Sequence, residues 1–271
     1  MLLRSIDNHA KVPQARLESP FIKLMRFARR FFPASYRADL RTQLFRWLDL
    51  RWDLTSGLKT RVSNYADWII YNEIFVRGEY DRALAIALDS AADTAPINIV
   101  DIGANVGFFT LRAAERLRQT ETREFSVIAV EANPRCATEF RERIFTENGL
   151  SDRVVLAEGL VGERTGAAML YEDSLTQRGS FRGVKVTYLD LSCLLSSMPS
   201  IDLFKCDIEG AEQRLLENYP DVFRKVKVAI FELHANLCDV GRCRELLTEY
   251  GFTHGETLRN THPYSIYCAW R

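Results

Sequence analysis

The 271-residue sequence predicts an α/β fold, in which a mostly parallel sheet is covered by helices on both faces. From Ile97 onward, short apolar runs of strand length alternate with amphipathic stretches of helix length. The first run ends in a glycine turn, Gly103 to Gly107, of the kind that leads from a parallel strand into a helix. The composition, 47% hydrophobic and 27% charged, excludes a disordered, collagen-like or coiled-coil chain.

Four helical segments are predicted before the first parallel strand. In residues 21–32 apolar side chains recur at helical spacing, Lys23, Arg26 and Arg30 fall on another face, and Pro33 ends the segment. The other three segments are a stripe through Leu40, Leu44, Trp47 and Leu48, then Ala66–Phe75, which ends near Gly78, and finally Tyr80–Ala91.

Strands and helices then alternate, and ligands of such sheets bind at the carboxyl ends of the strands. The predicted strands are Ile97–Ile102, Ser126–Glu131, Arg153–Leu160, Ala167–Tyr171, Val184–Leu189, Ile201–Cys206, Val226–Leu233 and two closing strands, the last about Ser265–Trp270. The predicted helices are Phe108–Leu117, one that begins at Asn133-Pro134, one from about Ala211 and one near Arg242–Tyr250.

The charge distribution divides the chain into two parts. Residues 1–60 hold 12 Lys and Arg against five Asp and Glu, a charge of +7, which leaves −7 for residues 61–271 because the whole chain is neutral. We therefore predict a basic helical extension, residues 1–60, on an α/β domain, residues 61–271. The overall balance argues against nucleic acid as the main partner. The basic stripe of residues 21–32 either packs on its own domain, which we favour, or makes a peripheral contact with an anionic membrane.

Cysteine use and hydropathy predict a cytoplasmic protein, with membrane association through residues 21–32 as the alternative. The six cysteines form no C-x-x-C pair and several lie in apolar strand-like runs, which favours reduced, buried thiols. The first residues have no apolar leader core, and no uncharged run is long enough to cross a bilayer.

The first two strand ends predict a nucleoside site. A dinucleotide site needs a third glycine in the middle of the turn, where this chain has Asn105, so the turn suits a smaller ligand than a dinucleotide. Glu131 ends the second strand, where a carboxylate can accept hydrogen bonds from both hydroxyls of a ribose. The alternative role, capping the next helix, is already filled by Asn133 and Pro134. Glu131 would also repel the 2′-phosphate of NADP.

Ionisable side chains follow two further strands. Asp207 and Glu209 come directly after one strand, and Glu232 and His234 end the next. Carboxylates buried there without partners would be costly, so we expect them to face the cleft.

Four segments, VDIGANVGFFT, VEANP, LFKCDIEGAE and IFELH, together resemble the FkbM family of S-adenosylmethionine-dependent methyltransferases over about residues 97–234. The resemblance implies a class I methyltransferase (Rossmann-like) sheet of seven strands, one of them antiparallel, and S-adenosylmethionine as the cofactor.

By the same resemblance, the methionine end of the cofactor would be lined by Asp101, Gly103, Asn105 and Gly107. Glu131 would hold the ribose, and Asp207 and Glu209 would lie by the transferred methyl group. The chain departs from the family pattern at Ala132, Tyr188 and Cys206, none of which replaces an acidic residue.

The resemblance also implies the reaction, methyl transfer to a hydroxyl of a sugar, a glycan or a secondary metabolite. Asp207 and His234 are the candidate bases, and Glu209 is a further catalytic candidate. His234 could instead bond a backbone carbonyl, and Glu212 is expected to compensate the dipole of the next helix. No dedicated metal motif is present, so no metal is predicted, although Asp207, Glu209, Glu232 and His234 leave a divalent ion open as a second route.

One structural question and two alternative functions stay open. Arg178, Ser180 and Arg182 either contact the acceptor or form a solvated hairpin tip. The alternative functions are an NAD-dependent oxidoreductase, which the missing glycine disfavours, and a non-catalytic domain that binds the cofactor.

Overall fold

The structure is a computed structural model, and it describes residues 43, 45, 47, 48, 50–90, 96–119, 124–170 and 183–271. The basic stripe of residues 21–32 and the polar residues Arg178, Ser180 and Arg182 lie outside these ranges. Residues 43, 45, 47 and 48 are helical, as predicted for their segment. No helix within the described ranges is both long and apolar enough to cross a membrane.

The order of strands and helices follows the predicted alternation. The strands are β1 (Leu50–Asp53), β2 (Lys59–Val62), β3 (Ile97–Ile102), β4 (Phe125–Glu131), β5 (Val154–Glu158), β6 (Ala167–Leu170), β7 (Val184–Thr187), β8 (Ile201–Cys206), β9 (Val226–His234), β10 (His254–Thr261) and β11 (Tyr264–Trp270). The helices are α1 (Tyr65–Tyr71), α2 (Asp81–Ser90), α3 (Phe108–Gln119), α4 (Pro134–Arg141), α5 (Leu191–Leu194), α6 (Glu212–Asn218), α7 (Pro220–Phe223) and α8 (Val240–Glu249). Two π-helical turns, Asn72–Val76 and Glu142–Thr146, continue α1 and α4.

Side-chain caps fix where three of the helices begin. Asn133 accepts a hydrogen bond from the N–H of Arg135 (2.9 Å), and Pro134 occupies the first position of α4, as predicted. Asn64 caps α1 and Asp239 caps α8 in the same way. These short polar side chains compete with the backbone inside a helix but satisfy its free N–H groups at the start.

The main sheet has seven strands in the order β10-β11-β9-β8-β3-β4-β5. All pairs from β9 to β5 are parallel, whereas β11 is antiparallel to both of its neighbours. The predicted class I sheet with one antiparallel strand is therefore confirmed. Because β3 pairs with β4 on one side and β8 on the other, the winding reverses at β3 and opens a crevice at its carboxyl end.

The sheet separates two apolar cores. Along β3, Ile97 and Ile99 face the core that contains α3, and Val100 and Ile102 face the other one. This alternation is what a strand buried on both faces requires. It also places Asp101 on the α3 side of the sheet, just before the crevice.

The β1–β2 hairpin packs on the sheet domain and was not among the predicted elements. Leu58 and Val62 belong to the same core as Ile97 and Phe108, and both are at most 1% exposed. The predicted boundary at residue 60 falls inside β2. Leu58 and Val62 thus share one apolar core with the sheet, and the division of the chain into two domains stays a prediction.

Candidate functional site

Gly103 brings the ends of three strands together. Its φ of +73° is left-handed, and a Cβ at this position would lie 1.8 Å from the carbonyl oxygen of Asp207, so only glycine fits. The N–H groups of Gly103 and Ala104 donate to the carbonyl of Val130 (3.0 and 2.9 Å). The N–H of Asp207 donates to the carbonyl of Ile102 (3.1 Å). The loops after β3, β4 and β8 therefore meet at this bend.

Glu131 is held in place by the backbone of the glycine turn. Its Oε2 accepts from the N–H of Asn105 and its Oε1 from the N–H of Asn133, both at 2.7 Å. Asn105 adopts a φ of +50°, which asparagine tolerates better than most residues. Burial raises the pKa of Glu131 above its ordinary value. A carboxylate accepts about four hydrogen bonds, so the two backbone donors leave each oxygen free to accept one more.

Gly107 and Asp101 lie beneath this pocket rather than on its surface. A Cβ at Gly107 would come within 2.9 Å of Phe140, so this glycine allows α3 to pack closely on α4. Asp101 is fully buried; its Oδ2 accepts from the hydroxyl of Thr110 (2.7 Å) and its Oδ1 lies 3.3 Å from Nζ of Lys205. In this structure both residues support the turn from below, and their predicted contact with a cofactor stays a prediction.

Lys205 is a site residue that the sequence analysis did not single out. Its Nζ donates to the carbonyls of Gly103 (2.7 Å) and Ile102 (3.3 Å) as well as facing Asp101. Burial acts to lower the pKa of Lys205, but Asp101 and Asp207 outweigh it and raise the pKa. The signal in the sequence is a lone cation in the apolar strand Ile201–Cys206, which needs a buried partner.

Asp207, Glu232 and His234 form one cluster at the ends of β8 and β9, as the sequence predicts. One carboxylate oxygen or imidazole nitrogen from each lies within 4.8 Å of the other two, and all three side chains are partly buried. Glu209 does not join them: it is exposed, with a φ of +50°, and its side chain lies outside the cluster. We use the name "acidic–histidine cluster" for Asp207, Glu232 and His234.

Glu212 fixes the orientation of His234. Its Oε1 lies 3.0 Å from Nδ1 of His234 and also accepts from the N–H of Gly210 (3.0 Å). Nε2 of His234 lies 3.8 Å from Oε1 of Glu232. His234 thus bonds a buried carboxylate rather than a backbone carbonyl, and Glu212 does more than compensate a helix dipole, although it lies in the first turn of α6.

The neighbouring charges shift the protonation of the cluster. The hydrogen bond that Nδ1 of His234 donates to Glu212 raises the pKa of His234 to about 9, so without a metal ion the ring carries a positive charge at neutral pH. Burial, and then Asp207, raise the pKa of Glu232 to about 7. Burial also raises the pKa of Asp207. In this state a carboxylate fits the role of base better than His234 does.

A polar surface beside the cluster is formed by β10 and by residues 73–79, which lie within the stretch YNEIFVRGEY that also resembles the family. Arg259 on β10 contacts Glu79 and Glu73, and donates to the hydroxyl of Tyr264 (2.9 Å). The ring of Tyr264 lies 6.4 Å from that of His234. Arg259 also lines a cavity of about 290 Å³ together with Arg77, Gly78, Glu79, Arg82 and Leu258.

Comparisons with solved structures find methyltransferases. A methyltransferase FkbM from Methylobacillus flagellatus is 14% identical, with a TM-score of 0.47, over 87% of this chain and 59% of its own. A precorrin-6y C5,15-methyltransferase from Geobacter metallireducens is 16% identical, with a TM-score of 0.42, over 69% of this chain and 87% of its own. Aeropyrum pernix fibrillarin, solved with natively bound S-adenosyl-L-methionine, is 10% identical, with a TM-score of 0.45, over 82% of each chain. This chain therefore spans about three fifths of the length of the Methylobacillus protein.

The family comparison covers more than half of the sequence. No curated protein matches the chain. The model of the methyltransferase FkbM domain, however, matches residues 101–253, from the end of β3 to the residues between α8 and β10, and so includes Glu131 and the whole acidic–histidine cluster. The chain belongs to the FkbM methyltransferase family.

Proposed function

We propose that this protein transfers a methyl group from S-adenosylmethionine to a hydroxyl of a sugar, a glycan or a secondary metabolite. The observation that supports this proposal is the meeting of three strand ends at Gly103. The bend places the backbone that orients Glu131 directly against the backbone of Asp207. A nucleoside-binding carboxylate and the acidic–histidine cluster thereby share one crevice.

The residues around the bend fit the cofactor. Gly103 lets the backbone after β3 pack directly against Asp207, and Glu131 keeps free lone pairs for two ribose hydroxyls. Gly103, Asn105, Glu131 and Asp207 would hold the cofactor, and Asp101 and Gly107 would support it from below. Lys205, the cation next to the bend in the described part of the chain, is engaged with Asp101 and two carbonyls and is not free to bind a diphosphate. When bound, S-adenosylmethionine supplies an electrophilic methyl group on a positively charged sulfur. The negative carboxylates of the cluster are electrostatically complementary to that charge.

The acidic–histidine cluster supplies the groups that a hydroxyl acceptor needs. A hydroxyl is a weak nucleophile until its proton leaves, and a positioned base typically accelerates such a step by about 10²–10⁴-fold. Asp207 is our candidate, because its backbone is fixed to Ile102 and touches the bend at Gly103. His234, held by Glu212, would position the carboxylates and the acceptor oxygen. Glu209, exposed at the rim, would contact the acceptor rather than the reacting atoms.

Asp207→Asn tests this proposal. At saturating S-adenosylmethionine we expect the variant to transfer labelled methyl groups about 10²–10⁴-fold more slowly than the wild type, because the amide cannot accept the proton. The assay follows label into a glycan extract by mass spectrometry. Asp152→Asn, an exposed carboxylate away from the crevice, is the matched control and should keep full turnover. Near-wild-type turnover of Asp207→Asn would show that Asp207 is not the base, and no labelled hydroxyl product with the wild type would exclude the proposed reaction.

A further inference from the structure

We infer that Asp207, Glu232 and His234 form a binding site for one divalent metal ion. The three side chains offer two carboxylate oxygens and one imidazole nitrogen, all within 4.8 Å of one another. Around an ion with bonds of about 2.1 Å, ligands on opposite sides lie about 4.2 Å apart. The two strand ends therefore hold the ligand set nearly at binding distance before any ion is present.

A second observation comes from Glu212, which lies outside the ligand set. It is fully buried and contacts Nδ1 of His234 at 3.0 Å, which leaves Nε2 as the nitrogen that faces Glu232. The 3.8 Å between Nε2 and Glu232 is too long for a hydrogen bond. A carboxylate on the far nitrogen is the usual support of a histidine that binds metal, because it fixes the ring and its tautomer.

The negative charge of the carboxylates in and around the cluster also favours the binding of a cation. The second oxygen of Glu212, Oε2, is buried and has no hydrogen-bond partner among the described residues. Lys205, the cation at the end of β8, forms its ion pair with Asp101. Within the described chain, Asp207 has no ion pair within 4.0 Å, and Glu232 has only His234. Three carboxylates are thus gathered around one imidazole, and a divalent ion that displaces the proton from Nε2 would offset two of their three negative charges.

The donor set indicates which ions fit. Carboxylate oxygens suit Mg²⁺ and Mn²⁺, and a single imidazole shifts the preference toward Mn²⁺ or another first-row ion. Three protein ligands leave positions open on a six-coordinate ion for oxygens of the acceptor. An ion in this place would make an acceptor hydroxyl more acidic. This role rests on the proposed function, whereas binding of the ion does not.

Titration of the apo protein with Mn²⁺ tests the site without cofactor or acceptor. The signal of free Mn²⁺ in electron paramagnetic resonance gives the stoichiometry and the affinity. We expect one site in the wild type and in Glu245→Gln, an exposed control on α8, and at least about 10-fold weaker binding in Glu232→Gln and Asp207→Asn. No binding by the wild type, or equal affinity in all four proteins, would overturn the site.

Glu212→Gln separates a metal-supporting role from a purely structural one. The amide keeps the size of the side chain but removes its charge, so we expect about 10–100-fold weaker Mn²⁺ binding. Thermal unfolding of each variant identifies any that fails to fold. If Glu212→Gln does not fold, the Mn²⁺ affinities of the wild type and Asp207→Asn decide whether the metal site exists. Loss of methyl transfer on chelation, restored by Mn²⁺, would support the role in the reaction. Unchanged transfer after chelation would overturn that role, whereas the absence of any transfer by the metal-loaded wild type would contradict the proposed function instead.

Discussion

Gly103 shows how a single residue determines the geometry of the site. A left-handed φ alone costs a non-glycine residue about 1–2 kcal/mol, which many proteins accept in a turn. At Gly103 the carbonyl of Asp207 also occupies the space where a Cβ would lie. The contact that excludes a side chain is the same contact that joins the glycine turn to the acidic–histidine cluster.

Gly103→Ala should therefore cost more than the backbone strain of a left-handed alanine. The matched control is Gly57→Ala, which has a similar φ of +79° and no atom within 4 Å of the added Cβ. We expect the free energy of unfolding, measured in urea, to fall by about 1–2 kcal/mol more for Gly103→Ala than for Gly57→Ala, because atoms must shift only at the first site. Equal losses in the two variants would contradict the contact with Asp207.

Sequence reasoning at this scale found side chains but not their partners. Asp207, Glu232 and His234 were recognisable because polar residues end apolar strands, and the topology then brings those ends together. The roles of Glu212 and Lys205 could not be recognised in the sequence. Glu212 acts through its contact with His234, and Lys205 acts through its contact with Asp101, and neither distance is visible in a sequence. Glu209 shares the sequence spacing of a site residue, but its left-handed backbone turns it away from the cluster.

At the scale of elements, the neighbouring strands β3 and β8 are joined beneath the crevice by one buried ion pair. Lys205 on β8 reaches Asp101 on β3 and the two carbonyls that follow it, so the end of one strand holds the turn of the other. Strand bounds were predictable because apolar runs have a clear length. The β1–β2 hairpin was missed, although Leu50 and Trp52 alternate with charged residues and Gly57 marks the turn.

Lys205→Met should destabilise the fold strongly, because it leaves Asp101 charged and buried without its cation. Breaking one side of a buried ion pair typically costs about 3–5 kcal/mol. Asp101→Asn keeps an acceptor for the hydroxyl of Thr110 and removes the charge, so the double variant should lose less than the sum of the two single variants. Urea unfolding of the four proteins gives this coupling energy, and additive losses would mean that the two side chains do not interact.

At the scale of the whole molecule, the N-terminal elements and the sheet share a core. Arg143, in the π-helical turn after α4, is fully buried, with its guanidinium 4.1 Å from the ring of Phe108. It donates to the carbonyls of Val106 and Arg61 and pairs with Asp67 at 3.7 Å. One side chain thus connects the glycine turn, β2 and α1. The boundary at residue 60, which the charge pattern predicts, falls inside β2 and stays a prediction, because a charge pattern records where basic residues are and not which apolar faces meet.

Arg143→Met tests whether this connection stabilises the whole domain. Methionine keeps the apolar contact with Phe108 but leaves two carbonyls without donors and Asp67 without its cation, so we expect a loss of about 3–5 kcal/mol in the free energy of unfolding. Arg141→Met is the control two residues away, since its pair with Glu158 is exposed and should contribute about 0–1 kcal/mol. If the glycine turn binds S-adenosylmethionine as proposed, Arg143→Met should also weaken that binding in calorimetry, because Arg143 holds the carbonyl of Val106 in this turn. A loss no larger than that of Arg141→Met would show that the hairpin and the turn are held together by their apolar contacts alone.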